Sequence, residues 1–231
     1  MTHVGSPTPS PERRRRNPQA TRDRLVRSAL ELFTTRGYHA STTPQIAAAA
    51  GVAEGTIYRH FDSKEHLLNE LYRAAVRLLT DQIAQASKQA GCRAQLDSVA
   101  AAWLGIAKRD PALIRLVFFA RHGPLLDPRS RDARRHLETE LSRIVASGKA
   151  AGEIRTGPAD IWVRIWVALV VMALERVVEG EWPEDHGGPA YVFEAAWDAV
   201  RARGGGDPSG QHSAGPGSSA LHTERSKEMD S

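Results

Sequence analysis

Residues 42–68, TTPQIAAAAGVAEGTIYRHFDSKEHLL, constrain this chain more than any other stretch. Thr43 fits an N-cap, and Pro44 then takes the first helical position, where its missing N–H costs nothing. Ile46, Ala47 and Ala50 fall on one face of that short helix. Gly51 supplies the left-handed residue that ends it, and Val52 plugs the corner. Glu54 to His60 form a second helix, with Ile57 and Phe61 turned inward and Thr56, Arg59 and His60 turned outward. Ser63 caps a third helix, with Glu65 in its first turn against the positive end of the dipole. Two short helices about a glycine turn, the second with a polar outer face, predict a helix-turn-helix DNA reader.

The residues that carry this pattern are Tyr58, His60, Phe61, Ser63, Lys64, Leu67 and Leu68, preceded by Leu25, Ala29, Leu32, Phe33, Gly37 and Tyr38 and by Thr42-Thr43 with Ile46-Ala47. In these positions the chain resembles the DNA-binding domain of the TetR family of transcriptional repressors. The resemblance covers roughly residues 20–70; the remainder is similar to the family only in helical layout. It implies an all-α fold, with an N-terminal three-helix helix-turn-helix domain followed by a larger helical ligand-binding and dimerisation domain. By the same resemblance Thr43, Thr56, Tyr58, His60 and Lys64 touch phosphates, Lys64 at a helix N-terminus that itself favours an anion. Glu54, Gly55 and Arg59 take recognition-helix positions that reach base edges. Arg59 either pairs bidentately with a guanine or binds phosphate. Gln45 is a further candidate from the first short helix. Pro44 departs from family members that carry a long polar side chain there, which puts base reading from that position in question. The implied partners are double-stranded DNA, a small-molecule effector and a second copy of the chain.

A chain of 231 residues with 41% hydrophobic and 25% charged residues suits one two-part unit. The lone Cys92 excludes a disulfide framework and a cysteine-rich zinc site, and it points to a reducing compartment. The first residues are polar and rich in Pro and Arg, without the apolar run of a signal peptide. The longest apolar stretch, 162–174, contains Arg164 and is too short to span a bilayer. A cytoplasmic protein without a cofactor or a membrane partner is the expectation. Residues 1–80 hold 12 Lys/Arg and 7 Asp/Glu, a balance of +5, whereas residues 81–231 hold 19 and 20, a balance of −1. The positive excess lies with the reader, as a phosphate-binding surface requires.

Composition divides the chain into a disordered basic arm (1–17), the DNA-binding domain (18–66), the helical effector and dimerisation domain (67–203) and a disordered tail (204–231). The arm carries Arg13–Arg16 and reads either as a solvated tail or as an extension adding phosphate or minor-groove contacts. Half of residues 204–231 are Gly, Ser or Pro. Between these ends, helical periodicity predicts helices over about 20–36, 63–90, 96–107, 111–121, 129–151, 160–179 and 189–203, with a loop over 122–128.

Trp103, Phe118, Phe119, Trp162, Trp166 and Met172 are candidates to line an apolar effector pocket, with Arg115 and His122 as polar groups to orient a ligand. For each of the six apolar residues, core packing is the alternative and the favoured reading. For dimerisation, Ile161, Ile165, Ala168, Leu169, Met172 and Val177 on one helix, and Tyr191, Val192, Ala195, Ala196, Ala199 and Val200 on the last, either build a four-helix bundle across a two-fold axis or finish the protomer's core. No phosphate loop, dinucleotide fingerprint, nucleophile elbow or His-Glu-x-x-His motif is present, so an enzyme is not expected. An architectural DNA binder that senses nothing is the other alternative, and the long helical domain argues against it.

Overall fold

In the computed structural model, which describes residues 18–183 and 185–203, helix α1 (Pro18–Thr35) turns Leu25, Ala29 and Phe33 inward on one face, as their spacing requires. The arm and the tail expected from composition lie outside the described residues. After a turn through Gly37, α2 (Thr43–Ala49) begins, and its cap differs from expectation. Thr42, not Thr43, is the N-cap: its side chain accepts from the Gln45 N–H while Gln45 Oε1 accepts from the Thr42 N–H at 3.0 Å. A reciprocal capping box needs Glu or Gln three residues after the cap, which Thr42 has and Thr43, followed by Ile46, lacks. Gly51 closes the turn with a φ of 64°.

The second short helix is a 3₁₀ helix, Glu54–Arg59, one residue shorter than the helix expected from sequence. Its bonds run from the Thr56 N–H to Ala53 O (2.9 Å) and from the His60 N–H to Ile57 O (3.0 Å). Gly55, Thr56 and Ile57 are weak helix formers, and six residues are too few to outweigh that with α-helical bonds. Ile57 and Phe61 are buried in the core, as their spacing predicts.

Helix α3 (Lys64–Ala86), capped by Ser63, crosses from the reader into the larger bundle without a break. Leu67 and Leu68 pack below the reader, while Leu79 and Ile83 belong to the same continuous core further along. It stops at Ala86 rather than near 90 and is followed by a turn to Gly91, whose φ is 83°. Helix α4 (Cys92–Arg109) starts four residues before the predicted Leu96. Its first N–H, on Cys92, donates to both carboxylate oxygens of Glu153, at 2.9 and 3.1 Å. A carboxylate brought from 61 residues away caps this helix, which no local pattern can announce.

The predicted helix 111–121 is instead α5 (Pro111–Ile114), running into a π-helical turn, Arg115–Phe119. The turn closes with the Ala120 N–H on Arg115 O at 2.9 Å, and Ala120 is extended. A 3₁₀ turn, Gly123–Leu125, lies within the predicted loop. Helices α6 (Pro128–Ala150), α7 (Ala159–Val178) and α8 (Gly188–Val200) follow, close to their expected bounds. Helices α7 and α8 pack on each other, α3 packs on α4 and α6, and α6 packs on α7. Gly148 lets α6 close on α4: a Cβ there would stand 2.6 Å from Cys92 Sγ. The Cys92 thiol is buried and pushed up to about 12, with Glu153 adding to the effect of burial, so it is an inert packing group. Among the described residues there is no sheet, only an isolated bridge between Ile154 and Arg201, and no helix is long and apolar enough to cross a membrane.

Candidate nucleic-acid interface and effector cavity

The capping box and the 3₁₀ helix together decide what the reader can present. Tyr58 and Arg59 are exposed, Tyr58 at 54%, as are Glu54 and Gly55. A Cβ built on Gly55 would meet nothing within 4 Å, so the backbone there is open to a ligand's close approach. Thr56 and His60 are half-buried. Thr43, released from capping, places its hydroxyl 2.9 Å from the Tyr58 hydroxyl and so ties the start of α2 to the 3₁₀ helix.

Gln45 and Lys64 are also engaged by the protein itself. Gln45 Oε1 is held by the cap, which leaves its amide N–H₂ as the group free to reach outward. The Lys64 ammonium donates to Tyr38 O at 2.9 Å and to Ser41 O at 2.8 Å, and it lies 4.1 Å from the centre of the Tyr38 ring. Two of its three donors thus tie α3 to the turn between α1 and α2.

The residues proposed from sequence as pocket lining separate into three groups. Trp103 (0% exposed) and Trp166 (2%) are core: their rings pack at 6.3 Å, and Trp103 Nε1 donates to Leu79 O at 3.3 Å. They border neither of the two cavities that other candidates line, because the large apolar surface of an indole is best hidden in the core. Trp162 is also outside both; it packs against Gly157 and under the Arg155 guanidinium. Phe118 does line a cavity, of about 410 Å³, between α3, the π turn, α6 and α7. Arg115, Phe119 and His122 instead line a second cavity, between the bundle and the α1–α2 turn.

The first cavity has an apolar body, with Val76, Leu137, Leu141 and Val163 among its walls. Its polar side chains balance in charge, Arg134 and Arg164 against Glu138 and Asp160, and Arg134 is paired with Glu138 at 3.3 Å. Tyr72 of α3 borders it: the hydroxyl is buried and, among the described residues, has no partner in full hydrogen-bond geometry, and Arg134 stands beside it. Burial holds this phenol above its ordinary pKa against the pull of Arg134. Sequence reasoning missed Tyr72, Arg134 and Glu138. Tyr72 reads as one more core position of a helix, and the other two read as a solvated i,i+4 pair.

On the outer faces of α7 and α8, Ile161 (45% exposed), Ala168, Tyr191 (80%) and Ala195 remain uncovered, and Ile165, Leu169, Met172, Val177, Val192 and Ala199 are half-buried. Ala196 and Val200 were also expected on that face, but they are buried inside the protomer against α7 and α4.

A model of the family described as bacterial regulatory proteins, tetR family, matches residues 25–71. The chain is 35% identical over 206 residues to the HTH-type transcriptional regulator TcmR of Streptomyces glaucescens, covering 83% of this chain and 87% of that one. It is 41% identical over 66 residues to the transcriptional repressor KstR2 of Rhodococcus jostii, covering 29% of this chain and 32% of that one. In fold it is similar to a TetR family transcription regulator of Marinobacter aquaeolei, with a TM-score of 0.71 at 22% identity over 82% of this chain and all of that one. The helix-turn-helix match and the likeness to TcmR along most of both chains have one meaning: this protein belongs to the TetR family of DNA-binding transcriptional regulators.

Proposed function

We propose that the protein is a homodimeric repressor that leaves a palindromic operator when a small molecule enters the 410 Å³ cavity. The observation that carries this reading is the double role of α3, whose Tyr72 and Val76 border the cavity while its first residue, Lys64, holds the reader's turn. An effector that favours a shifted α3 would move the reader and so the spacing of two readers in a dimer. The cavity's apolar walls and balanced charges suit an uncharged, largely apolar molecule with an oxygen to meet the Tyr72 hydroxyl. The uncovered faces of α7 and α8 supply the surface for pairing across a two-fold axis.

On DNA, Tyr58, Thr43, Thr56 and His60 take phosphate-contacting roles, Glu54, Gly55 and Arg59 face base edges, and Gln45 reaches outward through its amide N–H₂. Lys64 positions the turn and has one donor left for a phosphate. Two tests follow. Footprinting with sedimentation analysis should find a dimer protecting two half-sites about one helical turn apart; a monomer on one asymmetric half-site would overturn the reading. Tyr58→Ala should weaken binding to all sequences alike, whereas Arg59→Ala should also relax preference at one or two base pairs, by about 1–3 kcal/mol each. Full sequence preference retained by Arg59→Ala in a binding selection would remove the base-reading role. Neutral apolar compounds that stabilise the protein to heat should lower its DNA affinity, and DNA binding indifferent to every such compound would favour the architectural alternative.

A further inference from the structure

The second cavity, of about 730 Å³, lies at the joint between the reader and the bundle. Its walls come from the end of α1 and the following turn (Thr34–Ala40), from the π turn and the residues after it (Arg115, Phe119–His122), and from Glu179 at the end of α7. Its charge is unlike that of the effector cavity. Arg36, Arg115 and Arg121 face a single carboxylate, Glu179, which already accepts from Arg115 Nε at 3.2 Å. Arg115 also donates to Val178 O at 2.6 Å. The Arg36 and Arg121 guanidiniums make neither an ion pair nor a hydrogen bond among the described residues. His39 and the buried His122 add two imidazoles, and His122 Nε2 has no hydrogen-bond partner among the described residues. Phe119 and the half-buried Tyr38 supply apolar wall between these groups.

Like charges gathered in a concave site repel one another unless an anion joins them, and low-dielectric walls focus their field on such an anion. Guanidiniums pair with planar or tetrahedral oxyanions through two parallel hydrogen bonds, which suits phosphate and carboxylate groups. We infer that the joint cavity is a second ligand site, for a small organic polyanion, phosphorylated or polycarboxylic, held chiefly by Arg36 and Arg121. Burial, and after it the neighbouring His39, lower the His122 pKa, so the arginines supply the fixed charge.

Such a ligand would bridge the two parts of the chain. Arg36 stands on the turn whose Tyr38 carbonyl holds Lys64, and Arg121 follows the π turn. That turn is shared by both sites: Val117 and Phe118 line the effector cavity, Arg115 and Phe119 the joint cavity. A π turn between two sites is a suitable element for passing a shift from one to the other.

The test is isothermal titration calorimetry of the full chain with pyrophosphate and, separately, with citrate, at ionic strength fixed with sodium chloride. At least one anion should bind saturably, at one site per chain. The double variant R36Q/R121Q should weaken that binding at least about tenfold, with an unchanged thermal midpoint in the absence of anion. The single variant R121E should move affinity in the same direction. Binding of pyrophosphate alone would mark a phosphorylated ligand, and of citrate alone a polycarboxylic one. Absence of saturable binding by both, or undiminished affinity in R36Q/R121Q, would overturn the site. So would a variant that keeps anion binding but binds operator DNA with a shallower salt dependence, since the arginines would then serve DNA phosphates.

Discussion

Trp103→Ala should destabilise the protein by about 3–5 kcal/mol, the largest single effect expected in this chain. The indole is fully buried, packs on Phe118 at 5.5 Å and on Trp166 at 6.3 Å, and donates from Nε1 to the Leu79 carbonyl. Truncation removes all of this at once and leaves that carbonyl of α3 without its side-chain donor, in a place where helices α3, α4 and α7 meet. Set against the roughly 5–15 kcal/mol by which native proteins are stable, such a loss is a large fraction of the whole. Chemical denaturation followed by circular dichroism measures it directly. The same experiment separates the two roles a tryptophan can have here. A residue that merely lined the effector cavity would lose ligand response with less than about 1 kcal/mol of stability; an effect that small would place Trp103 in the pocket after all.

Lys64→Met should have the second largest effect, and its cause is not the one suggested by the residue's place at a helix N-terminus. The methionine keeps the apolar stem over the Tyr38 ring but deletes two charge-assisted hydrogen bonds, to Tyr38 O and Ser41 O. Bonds to a charged group contribute about 1.5–3 kcal/mol each where they are shielded, and the half-buried setting places these toward the lower end. The turn carrying Tyr38 then loosens from α3, and the reader loses the fixed placement of Thr43 and Tyr58 that DNA contact requires. Operator affinity should fall by about tenfold or more, since each 1.4 kcal/mol of misplacement is one decade. A gel-shift series across salt concentrations distinguishes the mechanisms. Loss of a phosphate contact makes the slope of log affinity against log salt shallower by about 0.9. Loss of a tether lowers affinity at every salt concentration and leaves the slope unchanged.

The helix-turn-helix was legible in the sequence because its instructions are local. A cap, a glycine with positive φ, and Ile46, Ile57 and Phe61 at helical spacing act within a few residues of one another, and the structure uses all of them. Where the local reading slipped, as at Thr42 against Thr43, the correct choice was still local, in the spacing to Gln45. The bundle's helices were legible as periodic apolar runs, and the glycines and prolines between them marked most of the breaks.

What the sequence by itself determined, then, is a reader followed by a helical bundle. Only the tertiary structure decided which side of each helix meets which neighbour. Phe118 and Phe119 are adjacent and chemically identical, yet a π turn sends one to each cavity. Trp103 and Trp166 look like pocket aromatics until helices α3, α4 and α7 close around them, and Arg134 looks like a surface charge until Tyr72 is found beside it. The start of α4 rests on Glu153, and the reader's turn rests on Lys64. In each case the deciding partner stands tens of residues away, so the energy that selects the arrangement is absent from any local window of the chain and exists only once the helices have packed.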